Sequence, residues 1–407
     1  MSNFNIITSI FNLPQESLSF INDSTLLLKL PVTSHSCPCC NTITSKIHSY
    51  RNQLVKSSAI NSLGFSLIYR KRRYICPSCS KAFFENNSFL SRYQRMTKDT
   101  IAKIINDHGY LISSSDIALR YGVSTSTVQR LFKNVNVDSK KLSESISIDE
   151  FKGNTGAKFQ VVINDLITHQ CLNILEDRTP EILYSKIIEY PLDERLKVKH
   201  VSIDLSPLFR KMVQECFPNA QIVADKFHTV RLANDALDSI RRQLQKKLPP
   251  EQRKHFKRSR YLLLSREGNL KNDDDRNALH IMLNYSDELS AAYAMKEAYF
   301  NLMDSKDSNT FTKQFKLFQM AVEKQNIPVF KRLLKTTIAW KKEIIQSVST
   351  GYSNGFTEGC NTTIKNLKRI CYSFRNFNNF KNRIIYLLNN PQRRNRRTKR
   401  NNSEICA

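Results

Sequence analysis

The sequence predicts an α/β fold, a mixed sheet with a large helical block, preceded by two small modules. Three observations predict it. The short apolar runs Ile146–Ile148, Phe159–Ile163, Cys171–Leu175, Val198–Ile203 and Gln221–Val223 read as strands, and Pro207–Cys216 between the last two reads as a helix. From Thr229 to about Ser347, apolar residues recur at helical spacing, as in Leu232, Ala236 and Ile240, with breaks expected at Pro249-Pro250 and Asn272–Asp275. Ahead of both lie paired cysteines and then two short helical segments.

The chain's 407 residues, 40% of them hydrophobic, suffice for two to four domains with a sizeable core, and 9 Gly and 12 Pro argue against a low-complexity chain. Lys and Arg outnumber Asp and Glu by 63 to 36, a net charge of +27 that points to a polyanionic partner. The excess is uneven: +10 over residues 1–147, +7 over 148–351 and +10 over 352–407. The tail Gln392–Asn402, with six cations and no apolar residue, is expected to be disordered. No run of 18 apolar residues and no signal-peptide pattern occur, so the expected location is the cytoplasm and no membrane partner is expected.

From the N-terminus, residues 1–30 contain strand-like apolar runs, and the first chemistry-bearing motif follows. Two C-x-x-C pairs, Cys37/Cys40 and Cys76/Cys79, can place four thiolates around a structural Zn²⁺, as in a zinc ribbon. Cys39 can compete as a ligand, and His35 or His48 can replace one. A disulfide reading is disfavoured in a reducing compartment. Between the pairs, Arg70, Lys71, Arg72 and Arg73 follow one another between aromatics on a predicted strand, suited to phosphate contacts or to a charge-protected edge.

Ser115–Phe132 has the layout of a helix-turn-helix, supported by a helix over Thr97–Leu111. Ala118 permits close packing, Gly122 suits the turn, Ser124 can cap the second helix, and Ile117, Val123, Val128 and Leu131 can share a core. Thr125, Ser126, Gln129 and Arg130 then face outward as base-edge readers. Further on, three predicted strands end in carboxylates, at Asp149, Asp204 and Asp225, the last followed by His228. Such a row suits metal-dependent phosphoryl transfer, with Mg²⁺ held by a few carboxylates. A further carboxylate is available from Glu358, which shares its basic segment of 352–407 only with Glu404.

Together these pieces resemble the ISL-three family of insertion-sequence transposases over nearly the whole chain. The resemblance rests on Cys37-Pro38-Cys39-Cys40 and Cys76-Pro77-Ser78-Cys79, the helix-turn-helix around Ala118–Leu131, and the blocks Ile148–Phe151, Ser202–Ser206 and Ser353–Gly359. Ala224–His228, Ala292–Glu297 and the run from Ile364–Arg369 through Phe374–Phe377 also match, with Ser373 standing where a glycine is usual.

The resemblance implies an RNase H-like catalytic domain over 145–390 whose DDE triad is Asp149, Asp204 and Glu358, with the helical stretch 229–347 as an insertion. It follows a zinc-ribbon module over 1–90 and a helix-turn-helix domain over 91–140, and precedes a basic tail over 391–407. The implied activity is cleavage and strand transfer with Mg²⁺ or Mn²⁺ on double-stranded DNA, both the element's terminal inverted repeats and target DNA. A homo-oligomer on paired ends, in a bacterial, nucleoid-associated setting, is implied too. Asp225 or His228 can orient the scissile phosphate or a water on the metal, or make only structural contacts. Lys365, Lys368 and Arg369, at helical spacing, are candidates for phosphate contacts. The rival is a non-catalytic DNA-binding regulator with a degenerate RNase H-like domain.

Overall fold

The computed structural model describes residues 14–391 apart from 134, 136, 138, 155, 157 and 353, so the expectation for the basic tail lies outside the described residues. The chain divides into two compact units at residues 136/137.

In the first unit, β1 (Leu18–Asn22), β2 (Thr25–Leu28), the short pair β3 (His35–Ser36) and β4 (Ile43–Thr44), β5 (Ile47–Val55), β6 (Ser66–Ile75) and β7 (Ala82–Phe84) follow in order. The main sheet runs β1-β2-β6-β5, with β7 paired to the end of β6. Leu18, Leu26, Leu28, Val55, Leu67 and Tyr69 form its core with Ile60 of the single-turn helix α1 (Ser58–Asn61) and with Phe89 and Leu90.

The same unit continues into α2 (Lys98–Asp107), α3 (Ser114–Tyr121) and α4 (Thr125–Lys133). Local chemistry sets each boundary. Thr97 and Ser113 accept hydrogen bonds from the backbone N–H of Thr100 and Asp116, satisfying N–H groups that helix ends leave free. Gly122 ends α3 with φ +59°, a left-handed conformation that suits glycine. Ser124 Oγ then accepts from the Thr127 N–H at 3.2 Å. Ile104, Ile117, Ala118 and Val128 are the buried core, with Val123 and Leu131 packed against it.

The second unit is built on one five-stranded sheet. Its strands are β8 (Ser145–Lys152), β9 (Phe159–Asp165), β10 (Gln170–Leu175), β11 (His200–Ile203) and β12 (Gln221–Ala224), in the order β10-β9-β8-β11-β12. The first three pair antiparallel, and β11 lies parallel to both β8 and β12. This RNase H-like arrangement leaves β8 central, buried on both faces over Ser145–Asp149. The expected strands and the helix Pro207–Cys216 (α7) are present. Two helices between β10 and β11 went unforeseen, α5 (Pro180–Ile188) and α6 (Leu192–Lys197), although Pro180 occupies a helix-starting position.

From α8 (Lys226–Lys247) the chain is helical through α9 (Pro250–Arg258), α10 (Arg260–Leu264), α11 (Asp273–Leu283), α12 (Asp287–Met303), α13 (Ser308–Gln325), α14 (Pro328–Ala339) and α15 (Lys341–Thr350). Both expected breaks occur, since α9 begins at Pro250 and Asn272 caps α11 by accepting from the Asp275 N–H. Phe256, Tyr299, Phe311, Phe318 and Phe330 join the apolar residues of the sheet in one continuous core.

Lys296, fully buried on α12, donates to the carbonyls of Leu263 (3.1 Å) and Ser265 (2.6 Å) and pairs with Glu297. Burial pushes its ammonium below the usual lysine value, and these partners hold it in place. The chain then returns to the sheet through α16 (Gly355–Ile370) and α17 (Phe377–Leu388).

Candidate functional site

Register alone aligns the carboxylates. Ile148, Ile203 and Ala224 lie side by side across β8, β11 and β12. The next residues, Asp149, Asp204 and Asp225, therefore stand level on neighbouring strands spaced by about 4.8 Å. Asp204 and Asp225 follow the last residues of β11 and β12, the carboxyl edge where open α/β sheets place their sites. Asp149 differs from expectation. Its strand does not end there but runs to Lys152, because β9 continues the antiparallel ladder through Glu150, Phe151 and Lys152.

Glu358 reaches the same place from α16. Ser147 of β8 and Thr357 share a buried hydroxyl–hydroxyl hydrogen bond at 2.6 Å, and Asn164 of β9 donates to Thr357 at 3.1 Å. These bonds pin the first turn of α16 to the sheet, setting Glu358 beside Asp149. One turn on, Asn361 donates to Asp149 Oδ2 at 2.8 Å, while Asp149 Oδ1 accepts from the Glu150 N–H. Sequence reasoning missed Asn361. Its only signal was helical spacing from Glu358.

The electrostatics show that these groups share one environment. Burial raises Asp149, opposed by the Glu150 N–H, the nearby His228 and Asn361. Burial and the neighbouring Asp149 push Asp204 up to about 6. Asp225 is likewise raised to about 6 by burial, against the influence of His228, with Asp149 and Glu358 adding to the rise. Glu358 is raised by burial, with Asp149 adding and His228 opposing. His228 Nε2 lies 3.6 Å from Asp225 Oδ2. Asp225 and Glu358 also share the wall of a cavity of about 390 Å³ with Phe227, Tyr352 and Gly355.

This donor set fits hard divalent cations. Asp225 Oδ2 and Glu358 Oε1 are buried without a hydrogen-bond partner, the condition a positive ion relieves. Their spacing is looser than that of the cysteines. Among the described residues, only Cys37, Cys40, Cys76 and Cys79 bring three or more ligand atoms within 4.8 Å of one another.

The four thiols form a compact cluster, with Sγ–Sγ separations of 3.6 Å for Cys37–Cys79, 3.4 Å for Cys40–Cys76 and 3.5 Å for Cys40–Cys79. Two similar turns present them. In each, the residue after the second cysteine, Asn41 or Ser80, is left-handed and donates its N–H to the carbonyl of the first. The side chain and backbone of Thr42 lower the Cys40 thiol to about 6, while Cys79, against the Lys81 backbone, is pushed up to about 12 by Cys40, burial and the other thiols, the mutual opposition that a shared cation would relieve. The cluster fits a structural Zn²⁺. Cys39 stays outside it, its N–H directed at Cys37 Sγ, while His35 packs on Tyr74 and His48 contacts Ser49.

The basic run on β6 separates into different roles. Arg70 lies over the Tyr50 ring at 4.4 Å, Lys71 over Phe84 at 4.7 Å, and Arg73 is exposed. Arg72 corrects the sequence reading. It is buried, pairs with Glu85 at 3.2 Å and donates to the carbonyls of Leu30 and Pro31, so it holds the sheet and is not available to phosphate. On α4, Ser126, Gln129 and Arg130 are exposed and Thr125 is half-buried. On α16, Lys365 and Arg369 are exposed, but Lys368 departs from expectation. It turns inward to the carbonyls of Lys152 and Gly153, tying the helix to the end of β8.

Comparison with known proteins agrees with this division. Residues 33–79 match the family described as the zinc-finger of transposase IS204/IS1001/IS1096/IS1165, residues 85–136 the helix-turn-helix domain of transposase family ISL3, and residues 146–384 the ISL3 DDE family described as transposase. The transposase for insertion sequence element IS1001 of Bordetella parapertussis is 25% identical over 354 residues, covering 83% of this chain and 85% of that protein. A zinc ribbon, a DNA-binding helix-turn-helix and a DDE domain thus follow in order, and the chain belongs to transposase family ISL3.

Proposed function

We propose that Asp149, Asp204 and Glu358 are the catalytic carboxylates of this transposase, holding Mg²⁺ or Mn²⁺ at the carboxyl edge of the sheet. The observation that carries the reading is the shared environment of carboxylates from β8, β11 and α16, each raised by burial, with a buried Glu358 oxygen left unpartnered. Bound divalent ions would supply Lewis acidity to the attacking and leaving oxygens of an in-line displacement. Asn361 and the Glu150 N–H orient Asp149, and the Ser147–Thr357–Asn164 bonds hold Glu358.

Asp225 adds a fourth carboxylate, which also caps α8 by accepting from the Phe227 N–H. His228, one-third exposed beside it, is placed to orient the scissile phosphate. The reaction runs in two displacements. Water first cleaves a strand at the element's end and leaves a 3′-hydroxyl; that hydroxyl then attacks a target phosphodiester, expelling one target strand end.

The zinc ribbon and helix-turn-helix bind the terminal inverted repeats, with Ser126, Gln129 and Arg130 at base edges and Arg70, Lys71 and Arg73 on phosphates. Lys365 and Arg369 add phosphate contacts beside the carboxylates, and two or more copies bring paired ends together.

The test is incubation of the purified protein with Mg²⁺ and a duplex containing an element end. Strand cleavage and joining that Asp204→Asn abolishes, with DNA binding retained, is the expected result. Cleavage unchanged in Asp204→Asn overturns the triad. No metal-dependent cleavage by the unaltered protein leaves the regulator as the reading.

A further inference from the structure

The near-balance of residues 148–351 conceals a local excess. That stretch holds 33 Lys and Arg against 26 Asp and Glu, yet 242–260 alone holds eight cations and one acid. These 19 residues, the last turns of α8 together with α9 and the first residue of α10, therefore carry a net charge of +7 at high density.

The structure folds this segment into a helical hairpin. Gln245 donates to the Arg253 carbonyl at 3.1 Å, and Arg253 donates to the Lys246 carbonyl at 3.2 Å. At its base the buried Asp238 pairs with Arg241, Arg242 and Arg260, tying α8 to α10. Those arginines have a structural task. Lys246, Lys247, Lys254, Lys257 and Arg258 do not. They are exposed, and among the described residues none pairs with a carboxylate. Some other cations of the helical block are neutralised nearby, as in Lys226–Asp304, Arg231–Asp235, Arg266–Asp304 and Arg276–Asp273, while exposed lysines such as Lys313, Lys316 and Lys335 are more widely spread along the chain.

We propose that this hairpin is a sequence-independent contact for the phosphate backbone of the duplex being cut. The partner follows from chemistry and reach. Four lysines and one arginine, with no amide side chain among the five, make point-charge contacts to phosphate more readily than they read bases. Helix α8 starts directly after Asp225. At 1.5 Å per residue, its stretch from Asp225 to Arg242–Lys247 spans about 25–33 Å. Duplex DNA covers that distance in about 8–10 base pairs. One duplex with a phosphate at the carboxylates is long enough to reach the hairpin. The inference rests on the proposed role of Asp149, Asp204 and Glu358 in cutting DNA.

The experiment compares the full-length protein with a variant carrying Gln at 246, 247, 254, 257 and 258. Binding is measured against salt without added divalent metal, on end-containing duplexes extending 15 base pairs or 4 base pairs on each side of the cleaved bond. The expected result is a salt-dependence slope on the long duplex shallower by about 3–4 in the variant, from about 0.9 per phosphate contact. The short duplex should show little change. A variant exchanging Lys for Arg and Arg258 for Lys should keep the slope.

If the five-fold variant does not fold, Lys254→Gln with Lys257→Gln is expected to lower the slope by about 1–2. Unchanged slopes make the hairpin a solvated face and overturn the proposal. It is also overturned if the loss is equal on the short duplex, or appears only on a separate duplex lacking an end, which would assign the surface to target DNA. Because binding is read without catalysis, these outcomes are independent of the Mg²⁺ cleavage test, whose failure would overturn the catalytic reading instead.

Discussion

Asn361 donates its side-chain amide to Oδ2 of Asp149 at 2.8 Å, joining a helix to the central strand across 212 positions of sequence. Glu358 lies one turn earlier on that helix, so a single element both supplies a carboxylate and orients another. Asn361 is thus a positioning residue. Groups that orient metal ligands commonly contribute 10–100-fold. Asn361→Ala is expected to slow Mg²⁺-dependent cleavage by about that factor and to raise the Mg²⁺ concentration needed for half-maximal rate, with end binding unchanged. An unaltered Mg²⁺ requirement would reduce the bond to a packing contact.

The buried carboxylates set a stability cost that depends on pH. Asp204 is raised to about 6, by burial first and Asp149 second. A carboxyl raised on folding binds more protons in the native state, so stability falls as pH rises from the unfolded value near 4 through about 6 and stays reduced above it. Asp204→Asn in the metal-free protein is therefore expected to gain roughly 1–2 kcal/mol at pH 7.5, with the gain shrinking toward pH 5. Denaturant unfolding at the two pH values measures it. An equal gain at both would show that packing, not charge, is responsible.

Removal of zinc should act on the first unit. Elemental analysis is expected to find one Zn²⁺ per chain, lost in Cys76→Ser together with end binding. Far-ultraviolet dichroism should retain the helical signal of the second unit, whose fold contains none of the four cysteines.

Arg72 and its neighbour Arg70 should respond oppositely to truncation. Arg72→Ala leaves Glu85 buried without its cation, although Tyr69 and the Arg72 N–H still donate to it, and is expected to cost about 3–5 kcal/mol of stability. Arg70→Ala should leave thermal stability nearly unchanged and weaken DNA binding. Equal effects of the two on stability would contradict the assigned roles.

After α16 the chain turns through two left-handed residues, Tyr372 at φ +50° and Ser373 at φ +74°, and the Ser373 N–H caps the Lys368 carbonyl at 2.8 Å. A side chain in this conformation costs about 1–2 kcal/mol relative to glycine, less the greater entropy glycine loses on folding. Ser373→Gly is expected to stabilise the protein by about 0.5–1 kcal/mol in denaturant titration. Destabilisation would show that the serine side chain makes a compensating contact.

Local patterns were legible in the sequence because local physics sets them. Two residues between cysteines dictate the knuckles, and an apolar run followed by Asp204 or Asp225 is a buried strand meeting its polar edge. The apolar run Ile146–Ile148 stops before Asp149, so sequence puts the strand end there, yet pairing with β9 carries the ladder onward through Lys152. Four adjacent cations look alike in sequence, and only the packing beneath β6 selects Arg72 for the interior. The Ser147–Thr357 bond spans 210 positions and carries no local signal. The basic hairpin escaped for a simpler reason: averaging over 148–351 diluted it.

The docking of α16 on β8 also fixes an order of events in synthesis. Asp149 and Asp204 can take their places once β8 and β11 have paired, but Glu358 emerges about 150 residues later, after the whole helical block. Until then the nascent protein can have a folded zinc ribbon and helix-turn-helix without three assembled carboxylates. A polypeptide interrupted anywhere within that block would lack α16, and with it Glu358, Asn361 and the Thr357 bonds to the sheet. The site is therefore one of the last parts of the fold to be completed, and its assembly depends on the full length of the insertion having been made.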